Sequence, residues 1–137
     1  MIATLPYPPS INHYWRRVGP RTLISREGRT FRRNVCALLG SGGPPIRKPP
    51  AGGRIALCMD AFPPDRRRRD LDNIQKPVLD ALEHAGVYED DSLIDLLITR
   101  RRDALAPSGK LAVSIHRLPL HTCLLCGRPL GDGEDLA

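Results

Sequence analysis

A chain of 137 residues has room for one domain and little more. Apolar residues make up 41% and aromatic ones only 4%, so a core can form from Leu, Ile, Val and Ala but stays modest, and a dimer that buries more surface is expected. Formal net charge is +6; no apolar run approaches the roughly 18–20 residues of a spanning helix, and the opening MIATLPYPPS lacks a signal-peptide pattern, so a soluble, cytoplasmic protein with no membrane partner is expected.

Residues 1–8 alternate weakly through Ile2 and Thr4 and predict a short strand that ends at Pro8-Pro9. SINHYWRR, from Ser10, reads as a polar loop. Residues 25–39 predict a helix with Ser25 as N-cap, Phe31, Val35 and Leu38 on one face, and Arg29, Arg32 and Arg33 towards the other. The Gly/Pro-rich stretch 40–53 is a connection, and 54–60 predicts a strand. Residues 72–85 give the clearest helix: Ile74, Val78, Ala81 and Ala85 share a side, and Gly86 is a natural stop. Pro77 belongs near a helix start, which shifts the expected onset of regular helix to about residues 73–76. Segments 93–100 and 110–117 predict two strands joined as a hairpin by Pro107-Ser108-Gly109. The expected fold class is α/β or α+β, with helices packed on a small mixed β-sheet. A domain over 1–118 and a tail over 119–137 follow from this order.

Charge is distributed unevenly. Residues 1–59 hold ten Lys/Arg against the single acid Glu27, whereas 60–116 hold nine bases against eleven acids. A basic surface suits a polyphosphate partner, and crowded carboxylates suit a divalent cation. The sharpest segment is Asp70-Leu71-Asp72-Asn73-Ile74-Gln75-Lys76. Carboxylates two residues apart share a face where the backbone is extended. Lys76 follows Asp72 by one helical turn. Glu89-Asp90-Asp91 lies beyond Gly86, where the chain can fold back and bring an acid beside Asp70 and Asp72. Three converging acids repel unless a cation such as Mg²⁺ joins them. Taken singly, each acid reads first as a helix cap or a loop residue; the combined spacing favours the metal reading. Arg66, Arg67, Arg68 and Arg69 run into Asp70; they read either as a solvated charge run or as phosphate contacts. Arg16 and Arg17 after Tyr14-Trp15 form an aromatic and basic patch, in which Trp15 reads either as core or as a stacking platform. His13 and His84 are assigned no catalytic role.

The stretch Pro8 to Arg16, including Asn12, together with Arg66 to Asn73, Lys76, Asp80-Ala81-Leu82 and Asp90-Asp91, resembles the RusA family of Holliday-junction resolvases over roughly residues 4–117. The resemblance implies a homodimeric, Mg²⁺-dependent endodeoxyribonuclease that nicks opposed strands of four-way junction DNA symmetrically, in recombination and repair. It places the catalytic and metal-binding acids at Asp70, Asp72 and Asp91, and the catalytic lysine at Lys76. Arg66–Arg69 then contact DNA, with Arg16 and Asn12 in the N-terminal motif. A dimer offers two active sites to a two-fold substrate. The competing class is a non-catalytic protein that binds branched DNA.

The tail departs from this resemblance. Cys123-Leu124-Leu125-Cys126-Gly127 is half of a tetrahedral Zn²⁺ site, with His116, His121 or a second chain's cysteines as candidates to complete it; the alternative is a free or redox-sensitive thiol pair. Cys36 and Cys58 read as buried small hydrophobes, and no disulfide framework is expected.

Overall fold

The computed structural model describes residues 1–40 and 53–131. The expected connection over 40–53 therefore lies almost wholly outside the described residues.

Strand β1 spans Ile2–Leu5, and the prolines that follow end it. The polar stretch after Ser10 is more ordered than a loop. It forms a one-turn helix α1, Ile11–Tyr14, and runs straight into β2, Trp15–Val18, which pairs antiparallel with β3, Arg21–Ile24. Gly19, in the left-handed region at φ +59°, closes this two-stranded ribbon. The sequence signal was present: β-formers on both sides of Gly19-Pro20.

Helix α2 spans Arg26–Gly40. Ser25 caps it as expected, its Oγ accepting the Gly28 N–H at 3.0 Å. Phe31 and Val35 are buried, whereas Leu38 is 51% exposed and does not continue the apolar face. Helix α3 spans Asp72–His84. Regular helix begins at Asp72, earlier than Pro77 suggested, and Pro77 sits inside it. That ring is fully buried beside Ile74, Val78 and Leu82, so packing compensates for the missing backbone donor.

Strand β4, Ile55–Phe62, is the spine of the sheet. Its first five residues are all buried, as a strand with partners on both edges requires. Strands β5, Ile94–Arg101, and β6, Lys110–Arg117, do not form the expected hairpin. The sheet order is β1-β6-β4-β5: β5 lies parallel to β4, and β6 lies antiparallel on the other edge. The Pro107-Ser108-Gly109 turn is there, with Gly109 at φ +66°, but the 102–109 connection crosses the end of β4 and does not join neighbours. A Cβ at Gly109 would meet the Phe62 carbonyl oxygen at 2.5 Å, so the crossing needs glycine. The mixed α+β sheet expected from the sequence is thus present with a different strand order.

One face of the sheet packs on α2 and α3. Leu57 and Met59 of β4 and Leu111 and Val113 of β6 meet Phe31, Val35, Val78 and Leu82. Burial of such side chains contributes roughly 1.5–3 kcal/mol each. Beyond β6, the tail makes a small hairpin of its own through an isolated Thr122–Pro129 pair.

Candidate active site

Asp70 and Asp72 flank the start of α3. Leu71, between them, has helical φ and ψ and occupies the cap position without a side-chain bond, so the two carboxylates leave the backbone within its first turn. Both are exposed, and neither forms an ion pair with a described residue.

Lys76 and Asp91 meet directly. The Lys76 Nζ donates to Asp91 Oδ2 at 2.9 Å and also pairs with Asp80 Oδ1 at 2.9 Å. Asp80 follows Lys76 by one helical turn, and the chain turns at Gly86 (φ +76°) before a 3-10 turn, Asp91–Leu93, returns Asp91 to the helix. The two acceptors hold the Lys76 ammonium well above its ordinary range, Asp91 contributing most. Asp90 has a different job. Its carboxylate accepts the Ser92 N–H at 2.7 Å and caps that 3-10 turn. The fold-back of the acid pair is therefore as expected, and Asp91 is the member that faces the helix.

The expected convergence of all three acids is not what the structure shows. Among the described residues, no three His, Cys, Asp or Glu side chains gather closely enough to hold a metal ion. Asp91 is engaged by Lys76, and Lys76 accordingly lies on the Asp80–Asp91 side. The donor set itself, three hard carboxylate oxygens, suits Mg²⁺. Its spacing here does not form a closed cage.

A pocket of about 500 Å³ opens beside Asp70. Its wall includes Tyr7, Pro9, Asn12, Arg68, Arg69 and Asn73. Asn12 also lines an open groove of about 630 Å³ with Trp15, Arg16, Arg17 and Thr22. So Asn12, exposed on α1, stands between the basic ribbon and the Asp70 pocket. Helix α1 is fixed by a tight contact: Tyr14 is fully buried, its hydroxyl accepts from Arg32 at 3.2 Å, and its carbonyl accepts the Ser25 N–H at 2.8 Å. A Cβ on Gly28 would stand 2.6 Å from that same Tyr14 oxygen, so only glycine allows α2 to approach. Trp15 is half-buried and lies edge-on to Tyr14, with ring centroids 5.2 Å apart.

The four arginines divide into two kinds. Arg69 is a structural ligand of its own loop: its guanidinium grips Asp65 at 2.5 and 3.1 Å and lies 5.9 Å over the Tyr7 ring. Arg67 donates its backbone N–H to Asp65 at 2.9 Å and leaves its side chain 85% exposed. Arg66 and Arg68 are exposed. The Arg69 guanidinium, with the Arg67 N–H, lowers the Asp65 carboxyl to about 2. Asp80 and Asp65 were assigned no role from sequence, although each stands four residues from a cation.

Residues 6–116 match the family described as Endodeoxyribonuclease RusA. The chain is 42% identical over 114 residues to the crossover junction endodeoxyribonuclease of Enterobacteria phage HK97, covering 83% of this chain and 92% of that one. It is 36% identical over 113 residues to the protein of the same name from Escherichia coli K12, covering 82% and 90%. The matched span runs from Pro6, just after β1, to His116, near the end of β6, and leaves the first five residues and the tail from Arg117 outside it. The chain belongs to the RusA family of endodeoxyribonucleases.

Proposed function

We propose that this protein is a Holliday-junction resolvase, a structure-specific endodeoxyribonuclease that nicks paired strands of four-way DNA as a homodimer. The observation that carries the reading is the uncompensated carboxylate pair Asp70 and Asp72 at the start of α3, with Asp70 on the wall of a pocket that Arg68 and Arg69 also line. Two open acids facing a polyanion are unfavourable unless a cation lies between them.

Asp70 and Asp72 are the proposed ligands of Mg²⁺, and Asp91 would join them by giving up its Lys76 contact. When bound, that ion supplies Lewis-acid neutralisation of the charge developing on the scissile phosphate. Lys76 directs a fixed positive charge at the same phosphate, and Asp80 and Asp91 set where its ammonium stands. Arg66 and Arg68 hold flanking phosphates. Asn12 and Arg16 carry the duplex from the ribbon to the pocket. Two-fold symmetry of a dimer matches that of the junction. The tail, outside this chemistry, is a separate unit.

The test is a nicking assay on a four-way junction and on linear duplex, with Mg²⁺ and with EDTA, for the native chain and Asp70→Asn. Paired nicks on the junction alone, lost in EDTA and lost in Asp70→Asn with binding retained, are expected. Junction binding without any nicking by the native chain would instead select the non-catalytic reading.

A further inference from the structure

The tail hairpin is built around its two cysteines. The Cys123 N–H donates to the Arg128 carbonyl at 2.8 Å, and the Leu130 N–H to the His121 carbonyl at 2.9 Å. The chain reverses between them: the Gly127 N–H donates to the Cys123 carbonyl at 2.8 Å, and Gly127 takes the left-handed conformation at φ +71°. The Cys123 Sγ accepts the backbone N–H groups of Leu125 and Cys126 and also faces the Cys126 thiol. Both sulfurs thus lie on one side of a turn whose amides point at sulfur. Such N–H···S contacts offset thiolate charge, as donors to an ionised acceptor do.

We propose that Cys123 and Cys126 are half of a tetrathiolate zinc site, completed by the same pair from a second copy of this chain. Structural Zn²⁺ needs four ligands. Among the described residues the remaining ligands are not supplied from within the chain: neither His116, on β6 opposite Ala56, nor His121 joins the cysteines in a metal-holding group. Cys126 is exposed at the tip of the hairpin, and Leu125 and Leu130 beside it are 63% and 44% exposed. A two-fold axis through the ion would cover these apolar side chains with their counterparts. The excess negative charge of four thiolates on a dication would meet an Arg128 guanidinium from each copy. Each thiol releases its proton on binding, so affinity falls with acidity. The proposal is independent of the Asp70 chemistry.

The experiment uses the full chain prepared under thiol reductant with Zn²⁺ and then freed of loose metal. One zinc per two chains is expected, with X-ray absorption showing four sulfur neighbours at about 2.3 Å. Cys123→Ser and Cys126→Ser should each abolish zinc retention, while Cys36→Ser keeps it and nicking by all three is unchanged. One zinc per chain, a shell with two sulfurs and two nitrogen or oxygen atoms, zinc retained by the double Cys123→Ser/Cys126→Ser variant, or a Cys123–Cys126 disulfide without metal would each overturn it.

Discussion

Four of the carboxylates on and beside helix α3 divide into two pairs with opposite electrostatics. Asp80 and Asp91 share the Lys76 ammonium at 2.9 Å each, and Asp80 keeps only 15% of its side chain exposed. Asp70 and Asp72 stand open in solvent, Asp70 on the wall of an arginine-lined pocket. Lys76 already balances the first pair, whereas no described cation balances the second. A structural salt-bridge cluster and a ligand-seeking pair can thus be told apart on one helix by what each acid touches.

The strongest way to break this contrast is at the open pair. Asp72→Asn should lower single-turnover nicking on the order of a hundredfold or more, the scale of removing one group that stabilises transition-state charge. Junction affinity should hold or rise, because a negative charge facing phosphate is gone. Nicking within a factor of two of native would make Asp72 a helix-start residue and nothing else.

At the closed pair the expected loss is smaller. Asp80→Asn leaves Lys76 with Asp91 as its partner, and the loss of an orienting residue costs about 10–100-fold. The sign of the charge effect separates placement from titration. Asp80 helps to raise the Lys76 ammonium above its ordinary value, so losing it moves that value down, towards 10.5. Lys76 stays protonated at pH 8 in either case. The drop in rate should therefore be the same at pH 7 and pH 8; a drop confined to the higher pH would refute placement as the cause.

Much of this was legible in the chain itself. The D-L-D-N-x-x-K run marks the start of α3, and the fold-back of the later acid pair towards that helix could be read from Gly86. Ser25, Phe31 and Val35 located α2, because capping and helical periodicity are local. Strand order was not legible: β5 and β6 read as neighbours, and only the buried length of β4 between them shows why they are separated. The α1–β2–β3 segment hid because its polar residues resemble a loop while its pairing depends on Gly19. The partners of Lys76 were not legible either. Sequence spacing offers Asp72 and Asp80 equally, one turn to either side, and only the fold-back of Asp91 favours the second.

The arginine run offers the same contrast in cations. Arg66 and Arg68 are exposed, whereas Arg69 is committed to Asp65. Replacing Arg66 and Arg68 by Ala together should weaken junction and duplex binding alike. It should also reduce the slope of log affinity against log salt by about 2, near one for each phosphate no longer neutralised. Arg69→Ala should instead lower unfolding stability and leave most of that slope intact. If Arg69→Ala changes the slope as much as the double variant does, its side chain leaves Asp65 for DNA.

Asp65 gives the smallest and most local signal. Arg69 holds its carboxyl at about 2, below the ordinary 3.8, so the ionised form favours the folded chain. A carboxylate lowered in this way contributes stability that is complete above about pH 4 and fades as pH falls towards 2. Asp65→Asn removes the contribution at neutral pH, so the gap in urea midpoint between native and variant should be constant from pH 7 to about 5. It should then narrow between pH 4 and 2, as the native carboxyl gains its proton. The pair is partly exposed and the gap will be small, and high salt should shrink it further. A gap that persists unchanged at pH 2 would mean that Asp65 stabilises its loop through the Arg67 backbone contact, which a neutral amide oxygen or carboxyl can also accept, and that the guanidinium contributes little.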